Sequence, residues 1–123
     1  LCTHTLPCLP QVLYCDLHGH SKMHNAFLYG CSDPGPSSSG GGDGVVQHFA
    51  QALAECDPSF SLRDCSFEIE RSKESTGRVV VHRELGIEHS FTLEASFLGP
   101  SIGPLAGYHF NTQHYEALGQ AMA

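Results

Sequence analysis

Strand-like and helix-like stretches take turns along this sequence, and a chain that alternates in this way is confined to a sheet covered by helices. Residues 11–17, Gln-Val-Leu-Tyr-Cys-Asp-Leu, are a short, nearly continuous apolar run, the pattern of a strand buried on both faces. Residues 26–30 predict a second short strand. Serine, glycine and proline crowd residues 32–44, which predicts a flexible surface loop. Val45, Val46, Phe49, Ala50 and Leu53 then recur at three- and four-residue steps, one apolar face of a helix over 45–56 with Pro58 at its exit. Residues 66–71 alternate as a half-exposed strand, and 72–77 form a polar loop. A short helix over 78–85 ends at Gly86. Residues 89–97 return to strand, with Phe91, Leu93 and Ala95 on one side and Ser90, Thr92 and Glu94 on the other. After a loop over 98–108, Asn111 or Thr112 caps a last helix through Met122 that packs through Tyr115, Leu118 and Met122. The fold class is α/β, and there is no internal repeat.

The 123 residues suffice for one domain and not for two. Six Lys and Arg against thirteen Asp and Glu give a net charge of −7, the opposite of a phosphate-binding footprint, so nucleic acid is not an expected partner. With 41% hydrophobic and 15% charged residues the chain can bury a core. No apolar run approaches the ~20 residues of a membrane span, and residues 1–10 lack the pattern of a secretory signal, so no membrane partner is expected. The sequence opens on Leu1 rather than methionine, as a processed chain or a piece of a longer one would. Of the six cysteines, Cys15, Cys56 and Cys65 occupy strand and helix patterns where small buried hydrophobes belong. Reduced thiols in a cytosolic compartment are the expectation, and without a Cys-x-x-Cys pair a thiolate zinc ribbon has no support.

Three places in the chain carry possible chemistry. Asp16-Leu17-His18-Gly19-His20-Ser21 follows the first strand, at the strand end where open α/β sheets gather ligand-binding groups. In an extended segment Asp16, His18 and His20 project to one face, a geometry open both to a metal-binding histidine with a carboxylate behind it and to simple hydrogen bonding. Glu94 lies inside an apolar strand. An ionised carboxylate there is either an inward-facing general base with a raised pKa or a group turned to solvent beside Ser90 and Thr92. Arg78 follows Glu74-Ser75-Thr76-Gly77, where it is either a donor fork for an anionic substrate or a helix-surface arginine paired with a nearby glutamate. The other histidines form no ligand spacing, and no Gly-x-Ser-x-Gly elbow occurs.

Several segments together resemble the cytosolic carboxypeptidases, the branch of the zinc carboxypeptidases that shortens glutamate chains on tubulin and other proteins. Leu13-Tyr14-Cys15-Asp16-Leu17-His18-Gly19-His20-Ser21 and then Asn25-Ala26-Phe27-Leu28-Tyr29-Gly30-Cys31 resemble that family's late zinc-ligand strand and the strand after it. Ser72-Lys73-Glu74-Ser75-Thr76-Gly77-Arg78-Val79-Val80-Val81 and Leu85-Gly86-Ile87 resemble the segment leading to its catalytic strand. Ser90-Phe91-Thr92-Leu93-Glu94-Ala95-Ser96-Phe97 resembles the catalytic-glutamate strand itself. The likeness runs in order over residues 12–31 and 60–123.

The resemblance implies a zinc-carboxypeptidase-like mixed sheet flanked by helices, with residues 1–123 forming the C-terminal portion of the catalytic domain. It implies zinc as cofactor, His18 as a zinc ligand, Glu94 as the general base and Arg78 as the group that binds the acidic side chain of a C-terminal glutamate. The expected partners are polyglutamylated protein tails such as tubulin, and the expected location is the cytoplasm. The family's other zinc ligands come from an upstream His-x-x-Glu, with an asparagine and arginines for the substrate carboxylate, and these have no match here. His4 is followed three residues on by Pro7. The expectation is a segment inactive alone, within a parent that is a zinc metallocarboxypeptidase. The alternative is a non-catalytic binding or regulatory half-domain.

Overall fold

The computed structural model describes residues 13–32 and 42–123. Its elements run β1 (Tyr14–His20), β2 (Ala26–Ser32), α1 (Gly42–Cys56), β3 (Ser66–Glu68), α2 (Gly77–Leu85), β4 (Ser90–Ser96) and α3 (Thr112–Met122). The strands form one mixed sheet in the order β1-β4-β2-β3. Within it β4 is parallel to β1 and antiparallel to β2, and β3 is parallel to β2. The last strand in the sequence is therefore the spine of the sheet.

Period-two alternation gives the sheet two different faces. On one, Ala26 and Leu28 of β2 and Phe91 and Leu93 of β4 pack with Val46, Ala50 and Leu53 of α1 and Leu118 of α3. Phe49 stacks on Phe91 with ring centroids 5.0 Å apart. On the other face, β4 offers Ser90, Thr92, Glu94 and Ser96, and α2 covers part of it through the fully buried Val79. Gly86 ends α2 in a left-handed conformation (φ 66) and donates its N–H to the His82 carbonyl, the cap its glycine predicts. Asn111 caps α3, with the His114 side chain returning the hydrogen bond.

Several boundaries differ from the sequence pattern. β1 continues through His20 rather than stopping at residue 17, because polar side chains on one face do not interrupt a backbone ladder. It is also not buried on both faces. Among the described residues it pairs on one flank only, and Leu17 is 69% exposed. β3 is shorter than 66–71, since Arg71–Lys73 already turn in a 3-10 helix. α1 starts at Gly42 and β2 runs to Ser32, inside the span expected to be loop, and residues 33–41 lie outside the described residues. Cys56, expected inside, is exposed at the end of α1, where the helix runs out past its last buried residue Leu53. Cys31 is buried, Cys15 and Cys65 are half-buried, and Cys2 and Cys8 lie outside the described residues. No helix among the described residues is long and apolar enough to cross a membrane.

Candidate functional site

The polar face of β4 is buried, and its hydroxyls hold the neighbouring segments. Ser90 Oγ donates to the Arg78 carbonyl at 2.6 Å, fixing the start of α2. Ser96 Oγ donates to the Met23 carbonyl at 2.6 Å, fixing the turn between β1 and β2. Between them Glu94, 9% exposed, faces a cavity of ≈ 220 Å³ shared with Asp16, His18, Tyr29, Arg78 and Thr92. The carboxylate is thus turned inward, not to solvent.

Parallel pairing places His18 directly beside Glu94 and Asp16 beside Thr92. His18 Nε2 lies 3.1 Å from Asp16 Oδ2, and its Nδ1 lies 4.0 Å from Glu94 Oε1. With the Nε2 proton donated to the Asp16 carboxylate, Nδ1 keeps its lone pair and presents it toward Glu94. His20 is used differently. Its Nδ1 accepts the backbone N–H groups of Lys22 and Met23 at 3.2 and 3.0 Å, and its ring sits edge-on to Phe27. That ring lines the same cavity but spends its Nδ1 on the turn, so two histidines indistinguishable by spacing differ in what their ring nitrogens hold.

Arg78 occupies the first turn of α2 and is 5% exposed, not a surface arginine. Its Nε–H donates to the Gly30 carbonyl at 3.2 Å and its Nη1 to Thr76 Oγ1 at 3.3 Å. The guanidinium carbon stands 5.5 Å from the Tyr29 ring centroid. Among the described residues no carboxylate forms a salt bridge with it, although a guanidinium is always charged and burying one unpaired is costly. Burial first, and then the negative charge of Glu94 and Glu70, push the Tyr29 phenol above its ordinary pKa, with Arg78 opposing. Tyr29 therefore stays a neutral phenol at physiological pH.

Among the described residues no three His, Cys, Asp or Glu side chains converge as a metal centre requires. The donor set fits a metal as one contributor: a single imidazole with the Asp16 carboxylate on its Nε2, next to the buried carboxylate of Glu94. The pocket also contains members the pattern reading did not single out. Tyr29 reads in sequence as one more apolar strand residue, and only the antiparallel pairing of β2 on β4, which sets it opposite Thr92, brings it to the site.

No family model matches the chain. Cytosolic carboxypeptidase 3 of Bos taurus is 43% identical to it over 115 residues, which is 88% of this chain and 11% of that protein. Cytosolic carboxypeptidase 1 of Homo sapiens is 39% identical over 120 residues, 90% of this chain and 10% of that protein. The chain is homologous to a segment of the cytosolic carboxypeptidases. It spans about a tenth of the length of the curated relatives it matches. A metallo-carboxypeptidase from Burkholderia cenocepacia superposes with a TM-score of 0.68 at 21% identity, over 93% of this chain and 29% of that one. The carboxypeptidase fold, a mixed sheet flanked by helices, is therefore the architecture of this segment, as the resemblance implied.

Proposed function

We propose that this chain forms the C-terminal portion of the catalytic domain of a cytoplasmic zinc metallocarboxypeptidase. The whole enzyme removes C-terminal glutamate from protein tails such as those of polyglutamylated tubulin. One observation carries the reading: a buried guanidinium, without a carboxylate partner among the described residues, opens into the same cavity as Glu94 and His18. An incoming carboxylate side chain supplies what Arg78 lacks, and the planar fork of a guanidinium matches it in two hydrogen bonds. The chain's net charge of −7 repels acidic tails, so recognition falls to the local cations of this cavity, the buried Arg78 with Lys73 on the same lining, against the carboxylates Glu68 and Glu70.

His18 would hold the zinc as one of its ligands, with Asp16 on Nε2 fixing the tautomer and the ring plane. Zinc, when bound, polarises the scissile carbonyl and lowers the pKa of its water toward ~7. Glu94 accepts the proton of the attacking water at its cavity-facing carboxylate and returns it to the leaving amine. The strand that carries Glu94 is locked at both ends by Ser90 and Ser96, which keeps the base in place as the proton moves. One imidazole alone does not hold zinc as a three-ligand site does, so the isolated 123 residues are expected to be inactive.

The test is release of free glutamate from a glutamate-ended peptide by a full-length cytosolic carboxypeptidase carrying this sequence at the matching positions. Activity that disappears on chelation, returns with zinc, and falls about 10²–10⁴-fold in Glu94→Gln supports the proposal. Saturable binding of glutamylated tails that survives both chelation and Glu94→Gln, without glutamate release, establishes the non-catalytic alternative instead.

A further inference from the structure

The aromatic ring beneath Arg78 takes no part in polarising the carbonyl or moving the proton. Three contacts hold the guanidinium: the Gly30 carbonyl on Nε, the Thr76 hydroxyl on Nη1, and the Tyr29 ring at 5.5 Å. Two of the three come from consecutive residues of β2. The ring is itself fixed, since Phe27 meets it edge-on at 5.6 Å and 84°, and β2 is paired to β4 with Tyr29 opposite Thr92. A carboxylate in the ring's position would also hold an arginine, but it would neutralise it. A ring face attracts a cation through its quadrupole while leaving the charge uncompensated.

We propose that Tyr29 is a specificity-positioning residue, a platform that holds the Arg78 guanidinium in place and fixes its fork of donors toward the acidic side chain of the substrate. The inference rests on the reading of Arg78 as the acidic-group receptor and adds to it the reason the receptor is rigid. A long side chain that must be ordered on binding loses affinity, and one that is already ordered does not. The platform therefore acts on discrimination between acidic and neutral side chains, not on the hydrolytic step.

The experiment compares kcat/KM for peptides ending in glutamate and in glutamine, in a full-length cytosolic carboxypeptidase carrying this sequence at the matching positions. Arg78→Gln collapses the glutamate preference. Tyr29→Phe keeps the ratio within about twofold, and Tyr29→Met lowers it about 5- to 30-fold, the range for loss of a desolvated cation–ring contact. Replacing Tyr29 by phenylalanines carrying one, two and three ring fluorines drains the ring face without changing its shape, and the ratio falls stepwise. A ratio indifferent to fluorination overturns the platform role, as does equal damage from Tyr29→Phe and Tyr29→Met. A ratio unchanged in Arg78→Gln overturns the underlying reading of Arg78, and the two failures are thereby told apart.

Discussion

Asp16→Ala is expected to loosen zinc without unfolding the protein. The carboxylate makes a 3.1 Å contact with His18 Nε2, and the two side chains are 38% and 51% exposed. A charge-assisted hydrogen bond is worth ~1.5–3 kcal/mol when buried, but solvent screening at this degree of exposure brings the pair to about 1 kcal/mol. At ~1.4 kcal/mol per decade, the zinc dissociation constant should rise about 5-fold, just below the range of about 10- to 100-fold typical of an outer-shell partner. The carboxylate also abuts the start of α2, where a Cβ built on Gly77 would stand 3.8 Å from Oδ2. Its loss there removes a further ~0.3–1 kcal/mol of stability from the helix N-terminus. Asp16→Asn keeps an oxygen to accept the Nε2 proton and should recover most of the affinity. The assay is competition with a chromophoric chelator in a full-length enzyme carrying this sequence, with turnover at saturating zinc as control. A zinc affinity unchanged in Asp16→Ala refutes the orienting role of the carboxylate. So does a loss that saturating zinc does not repair.

Asn25 is buried at a left-handed φ of 71, and its side chain bonds Asp64 Oδ2 at 3.0 Å and the Ser101 N–H at 2.8 Å. Asn25→Ala should therefore cost more than Asn25→Gly by about 1–2 kcal/mol in denaturant unfolding, the cost of a Cβ in that conformation; the reverse order refutes the assignment of strain. Burial pushes the Cys65 thiol up to about 11 from an ordinary 9.0. The unfolded chain ionises first as pH rises, so this contribution to stability is intact below about 9 and is lost between about 9 and 11. Melting temperatures across that window should fall less steeply in Cys65→Ser, and mass spectrometry after alkylation at pH 8 should find Cys56 modified before Cys65 or Cys31.

The parts of the fold set by local periodicity were legible in the sequence. α1, α3 and the alternation of β4 follow from side-chain spacing, and so do the glycine and asparagine caps. What spacing does not encode is which strand lies beside which. The apolar run leading into His18 reads as a central strand, yet β1 has one described neighbour, since an apolar run records a tendency to be buried and not the number of flanks available. The polar side of β4 leaves Glu94 open in sequence to either the interior or solvent, and it is covered, because its cover comes from α2 and from the turn before β2. Arg78 is the sharpest case: alone it reads most simply as a surface arginine, and its burial depends on a groove built from β2 and β4. His18 and Glu94 were visible as candidates, but their adjacency is a property of sheet order.

That sheet order has a consequence for biosynthesis. β4 is the only described strand that touches both β1 and β2, and it is the last of the four to be made. At ~5–20 residues per second, the stretch of roughly 60 residues from the end of β2 to the start of β4 takes about 3–12 s to translate. During that interval β1 waits without its described neighbour, a nascent edge for a chaperone or a stray strand to seize. A premature stop ahead of Ser90 removes the strand that joins β1 to the rest of the sheet, whereas one after Ser96 spares the β1–β4 ladder but takes away α3 and the segment whose Gly99 and Ser101 bond Asn25.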